Sequence, residues 1–141
     1  MSKAAIRDFL IGNADINNKV SNRVFPSHLP QGTPIPALVL QTINRTHEYH
    51  LTNELGISPQ MIQIDVYAAT RPEVEEIAEL IRDRLSGYRG SLNADTFCHG
   101  ARIERNTPID TPPADASDRW LSRQSMDFQL HITSSVPTHA A

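Results

Sequence analysis

Met61-Ile62-Gln63-Ile64-Asp65-Val66-Tyr67-Ala68, followed closely by Thr70-Arg71-Pro72-Glu73, sets the architecture of this chain. Ile62, Ile64, Val66 and Ala68 fall on one face of an extended backbone; Gln63, Asp65 and Tyr67 fall on the other. That alternation predicts a half-buried strand. Thr70 and Glu73 then have the spacing of a capping box, and Pro72 sits in the first helical turn, where no intrahelical N–H is needed. Val74, Ile77, Ala78, Ile81 and Leu85 form one helical stripe, with Glu75, Glu76, Glu79, Arg82 and Asp83 opposite and Gly87 as a stop. Burial of Val74, Ile77, Ile81 and Leu85 contributes about 6–12 kcal/mol before entropy, at about 1.5–3 kcal/mol each.

On the N-terminal side, Ala37 to Ile43 reads as another strand, and residues 44–60 between the two runs read as a long hairpin arm. Before it, Pro26, Pro30, Pro34 and Pro36 punctuate an extended lead-in. A first helix spans about Ser2 to Ile11, with Ser2 as N-cap and Gly12 past its end; Ile16 and Val20 allow a second short turn of helix. On the C-terminal side, a Gly87-Tyr88-Arg89-Gly90 loop leads to a third strand, with Phe97, Ala101 and Ile103 inward and Arg102 and Glu104 outward. Asn106 to Asp118 reads as a loop. Met126, Phe128, Leu130 and Ile132 alternate in the closing strand. The expected order is α-β-β-α-β-β: an α+β fold with a mostly antiparallel four-stranded sheet and helices packed on one face. Residues 1–133 form one domain, and 134–141 form a flexible C-terminal tail.

Composition narrows function mainly by exclusion. Thirteen basic against sixteen acidic residues in 141 give a net charge of −3, the wrong balance for a dedicated nucleic-acid binder. The single Cys98 forbids an internal disulfide framework and a multi-cysteine zinc cluster, and fits a reducing compartment. Val24 to Asn44 lacks charge over about a membrane-spanning length, but its prolines and its short apolar run, Ala37 to Leu40, rule out a membrane helix. The opening residues do not read as a signal peptide.

No Gly-rich phosphate loop and no nucleophile elbow occur. His47 and His50 lie three apart on the arm, where an extended chain sends them to opposite faces, against a shared metal. Cys98 and His99 are neighbours on a strand, so the imidazole does not activate the thiol beside it; an inert, buried cysteine is expected. Asp110, Asp115 and Asp118 lack the ligand pattern of a calcium loop. Asp65 and Asp127 read as the wet side of a half-covered sheet rather than as paired catalytic carboxylates. These readings imply no enzyme, no metal and no cofactor.

What remains is contact chemistry. The 44–60 arm mixes Arg45, Glu48, Tyr49, His50 and Glu54 with Leu51 and Leu55, the composition of a protein–protein contact. Arg84, Tyr88 and Arg89, at the end of the central helix, are secondary candidates.

Several of these stretches resemble a family of small tail proteins of long-tailed bacteriophages. They are Arg23-Val24-Phe25-Pro26, Leu29-Pro30-Gln31 and Pro34-Ile35-Pro36-Ala37-Leu38-Val39, then the strand at 62–68, the helix from Arg71 to Leu85, and Met126-Asp127-Phe128-Gln129-Leu130. Family members often carry Trp where Tyr67 stands. The family includes tail completion, or tail-to-head joining, proteins. The resemblance implies a homo-oligomer, usually a hexameric ring, at the tail–neck junction of the virion, assembled in the bacterial host cytoplasm. Such a ring ends tail-tube polymerisation and offers a surface to a neck or connector protein, while DNA passes its lumen without specific binding. A neck or head-completion protein is the alternative; a small-molecule-binding domain or enzyme comes last.

Overall fold

The computed structural model describes residues 2–26, 28–30, 32–45, 57–92, 96–111 and 121–133. Its elements are α1 (Ser2–Ile11), α2 (Ala14–Val20), β1 (Val24–Pro26), β2 (Ala37–Arg45), β3 (Ile57–Ala68), α3 (Arg71–Leu85), β4 (Gly90–Ser91), β5 (Phe97–Thr111) and β6 (Leu121–Thr133). Both long helices stand where periodicity places them. Thr70 is extended, at φ −130° and ψ 153°, and its hydroxyl accepts from the Glu73 amide at 3.4 Å, while Gly87, at φ 78°, turns the chain after the last helical turn. The short second helix is present as α2. Asn13 caps it, its side-chain oxygen accepting from the amides of Asp15 and Ile16 at 3.0 and 3.1 Å.

The sheet is larger than expected. It has six strands in the order β1-β2-β3-β6-β5-β4, is mixed rather than purely antiparallel, and curls into a half-barrel. The four expected strands form its antiparallel centre: β2 on β3, β3 on β6, β6 on β5. Two short edges complete it. β1 is cut from the proline-rich lead-in, where Val24, Phe25 and Pro26 run parallel to Leu38, Val39 and Leu40. Arg23 holds this return in place, its Nε donating to the Pro36 carbonyl at 2.9 Å and its own carbonyl accepting from the Leu38 amide at 2.9 Å. β4 is two residues long and pairs with Phe97 and Cys98.

Strand limits also differ. Residues 106–111, expected in a loop, continue β5 opposite β6, from Asn106 against Met126 to Thr111 against Leu121. Pro108 fits there because, among the described residues, no strand pairs with the outer side of β5 over this stretch, where a missing N–H breaks no ladder bond. The arm is shortened from both ends, since Asn44 pairs with Met61 and Arg45 with Gln60. Residues 46–56 lie outside the described residues, as do 112–120 and the tail after residue 133.

The core fills the space between the helices and one sheet face. α1 lies against β2, while α3 crosses β3, β6 and β5. Ile6, Leu10, Ile16, Ile77, Ile81 and Leu85 meet Leu38, Ile62, Ile64, Met126, Phe128 and Leu130, all fully buried. One parity was misread: Phe97 is half-buried and Cys98 points into the core. The register shift between Cys98 and Gly100 resets the alternation, so Ala101 and Ile103 still face inward as expected.

Candidate interaction surface

The candidate residues fall in two places. Arg45 ends β2 opposite Gln60. Glu48, Tyr49, His50, Leu51, Glu54 and Leu55 belong to the arm and lie outside the described residues. Arg84, Tyr88 and Arg89 gather where α3 ends, over the last turn of α1. The Arg84 guanidinium donates twice to the Phe9 carbonyl, at 3.2 and 3.0 Å, and covers the Phe9 ring at 4.0 Å. Such a fork satisfies an orphan carbonyl at a helix C-terminus while pinning α1 to α3. Tyr88 also packs on Phe9, with ring centroids 4.4 Å apart, and its hydroxyl donates to the Ser91 carbonyl at 2.7 Å. Arg89 is exposed, and its guanidinium lies 5.9 Å from the Phe97 ring. Of the three, Arg84 and Tyr88 are engaged within the fold and Arg89 reaches solvent.

The sheet face turned away from the helices carries polar chemistry in an ordered network. Asp65 is buried at 2% exposure, not wet as its alternation implies. Arg123 pairs with it at 3.1 Å, and the Gln63 amide donates to both carboxylate oxygens at 3.0 and 3.1 Å. Arg123 also lies 5.6 Å from the Tyr67 ring. Burial pushes the Tyr67 phenol above its ordinary value of 10.0; the positive charge of Arg123 opposes this and the negative charge of Asp65 adds to it. Asp127 is displaced along the sheet, opposite Gln63 on one side and Arg105 on the other, so Asp65 and Asp127 do not form a carboxylate pair.

A second network ties α3 to the far end of the sheet. Arg71 donates to Gln124 Oε1 at 3.0 Å and to the carbonyls of Ile109 and Arg123 at 3.2 and 3.1 Å, and Gln124 bonds in turn to Asn106. These side chains fix the register of the β5–β6 ends. Cys98 is buried, and desolvation raises its thiol above 9.0, with the Gly100 carbonyl accepting at 3.3 Å. A thiol so placed is a poor nucleophile. Among the described residues no group of His, Cys, Asp or Glu has the geometry to hold a metal ion, and no helix is long and apolar enough to cross a membrane.

The sequence reading missed how the sheet ends. Among the described residues β1 pairs with β2 at 38–40, and no strand pairs with 42–45 on that side. At the opposite edge β4 covers Phe97 and Cys98, and the Gly87 amide caps the Ala101 carbonyl at 2.7 Å. From Arg102 onward the outer side of β5 has no strand among the described residues, and Arg102, Glu104, Arg105, Asn106 and Pro108 are exposed. Alternating β-branched Thr107, Ile109 and Thr111 was the available signal for this longer strand.

A model of the family described as "Tail completion protein gp17" matches residues 4–117. No curated protein matches the chain in sequence. Among solved structures, a chain described as "Virion of native gene transfer agent (GTA) particle" is similar in fold, with a TM-score of 0.66 at 18% identity, covering 94% of both chains. With the family model spanning most of the α+β domain, the chain belongs to the tail completion protein gp17 family, structural proteins of phage-like virions.

Proposed function

We propose that this protein forms a ring, usually of six subunits, at the head-proximal end of the tail tube, where it ends tube polymerisation and joins the tail to the neck. The carrying observation is the match to the tail completion family across residues 4–117. The fold likeness to a chain of a gene transfer agent virion is in keeping with it. The arm, with Arg45, Glu48, Tyr49, His50, Leu51, Glu54 and Leu55, is the proposed subunit or partner contact. Arg89 is the exposed member of the second group and would meet the tube protein or the connector, while Arg84 and Tyr88 hold the helix end that presents it. A ring of this kind closes by a heterologous contact, one surface of each subunit meeting a different surface of the next.

DNA would pass such a ring without specific binding. The sheet face away from the helices suits a lumen in this respect, because Arg102, Arg105 and Arg123 are balanced there by Glu104, Asp127 and Asp65. A surface without net positive charge has little counterion release to gain from phosphates.

The test is electron microscopy of a lysate in which this gene alone is deleted. Overlong or irregular tail tubes, unattached to filled heads, are the expected result. Tails of normal length lying free beside heads would point to a neck or head-completion protein instead. Intact virions would remove the assembly role.

A further inference from the structure

A bulge in β5 gathers charge on the sheet face turned away from the helices. Ala101 pairs with Leu130 and Ile103 with Phe128, all on the core side, so Arg102 lies between them on the open face, opposite Gln129. Regular alternation would next send Glu104 outward and Arg105 into the core. The register shift between Ile103 and Arg105 instead makes Glu104 the extra residue of a bulge, and Arg105 emerges opposite Asp127. Arg102, Glu104 and Arg105 therefore share one face, with Asp127 and Gln129 alongside.

The arginines of this face differ in reach. The Arg123 side chain is 27% exposed and engaged by Asp65, whereas that of Arg102 is 72% exposed. Two groups steady Arg102 at the surface: its Nε donates to the Glu104 carboxylate, and its Nη2 donates to Gln129 Oε1 at 2.9 Å. Arg105 is exposed as well, directly across the strand pair from Asp127, where opposite charges attract. Guanidinium groups fork onto phosphate as readily as onto carboxylate. Two exposed arginines this close on an open sheet face form a ready pair of phosphate contacts, and each has an acid beside it competing for the same guanidinium. An arginine with a built-in counterion has little to gain by exchanging it for a phosphate.

We infer that Glu104 and Asp127 serve as internal counterions that hold duplex DNA off this face, and that Arg102 and Arg105 grip its phosphates once those acids are neutralised. This rests on the lumen reading above for where the DNA is met; the charge arrangement belongs to the single chain.

The experiment measures binding of the purified full-length chain to a fluorescein-labelled DNA duplex by fluorescence anisotropy over a salt series. The parent is expected to show no saturable binding. Glu104→Gln combined with Asp127→Asn is expected to bind, and two neutralised phosphates weaken that binding about tenfold between about 50 and 200 mM salt. Adding Arg102→Gln and Arg105→Gln is expected to return it to the parent's level. Equal binding by the parent and the double variant would overturn the inference, whether both bind or neither does. So would a quadruple variant that still binds. Should the double variant fail to fold, Glu104→Gln alone, at an exposed position, carries the test with about half the salt dependence. Particles carrying the double variant test the lumen reading separately: DNA release slower than the parent's is expected. Release at the parent's rate, together with the expected anisotropy, would leave the counterion role standing and remove this face from the lumen.

Discussion

Asp65 and Arg123 are an unequal pair: the Asp65 side chain is 3% exposed and that of Arg123 is 27%. Removing the arginine strands a carboxylate in the sheet with, among the described residues, the Gln63 amide as its remaining side-chain donor. Removing the acid leaves a cation with water and the Tyr67 ring still in reach. A hydrogen bond to a charged group is worth about 1.5–3 kcal/mol, and the larger loss falls on whichever partner is left buried. Arg123→Leu is therefore expected to cost about 2–3 kcal/mol, and Asp65→Asn about half as much, as differences between urea unfolding curves. Equal costs would mean that water reaches Asp65 after all. Alternation marked Asp65 as a solvent-side residue, and its side of the strand was right. Its burial was not legible, because burial there depends on a curled sheet and on Arg123, 58 residues away in sequence.

At the scale of elements, local signals and long-range pairing part company. α3 was legible because its cap, its proline and its stripe all lie within one stretch of chain. Thr70→Ala removes the acceptor for the Glu73 amide and is expected to cost about 1 kcal/mol, read as a lower thermal midpoint with the native fold kept. No change in the midpoint would mean that the backbone Thr70–Val74 bond alone starts the helix. β1 was not legible. Three residues among prolines carry no periodicity, and only the parallel register with Leu38 to Leu40 makes them a strand. The far half of β5 was hidden by Pro108 and its acidic neighbours, which read as a loop until β6 is seen alongside. The cysteine was read correctly as buried while Phe97 was placed on the wrong face, since a bulge shifts parity without leaving a local mark.

For the molecule as a whole, the question is whether assembly and folding are separable. The strands that flank the arm are anchored without it: β3 pairs with β6 from Ile57 to Ala68, and β2 meets β3 up to Arg45 and Gln60. Replacing residues 46–56 by Gly-Ser-Gly-Ser leaves enough chain to cross from β2 to the start of β3. Shortening the connection from eleven residues to four lowers the loop-closure entropy cost by about 0.9 kcal/mol. The variant should then unfold within about 1 kcal/mol of the parent in urea. If the arm makes the contacts proposed for it, this folded variant stays monomeric by light scattering and fails to restore tail completion when supplied in place of the parent gene. A variant that still self-associates but does not restore tails would assign the arm to the tube or neck. Loss of both self-association and tails would make the arm part of closure itself. Restored tails would relieve the arm of any assembly role.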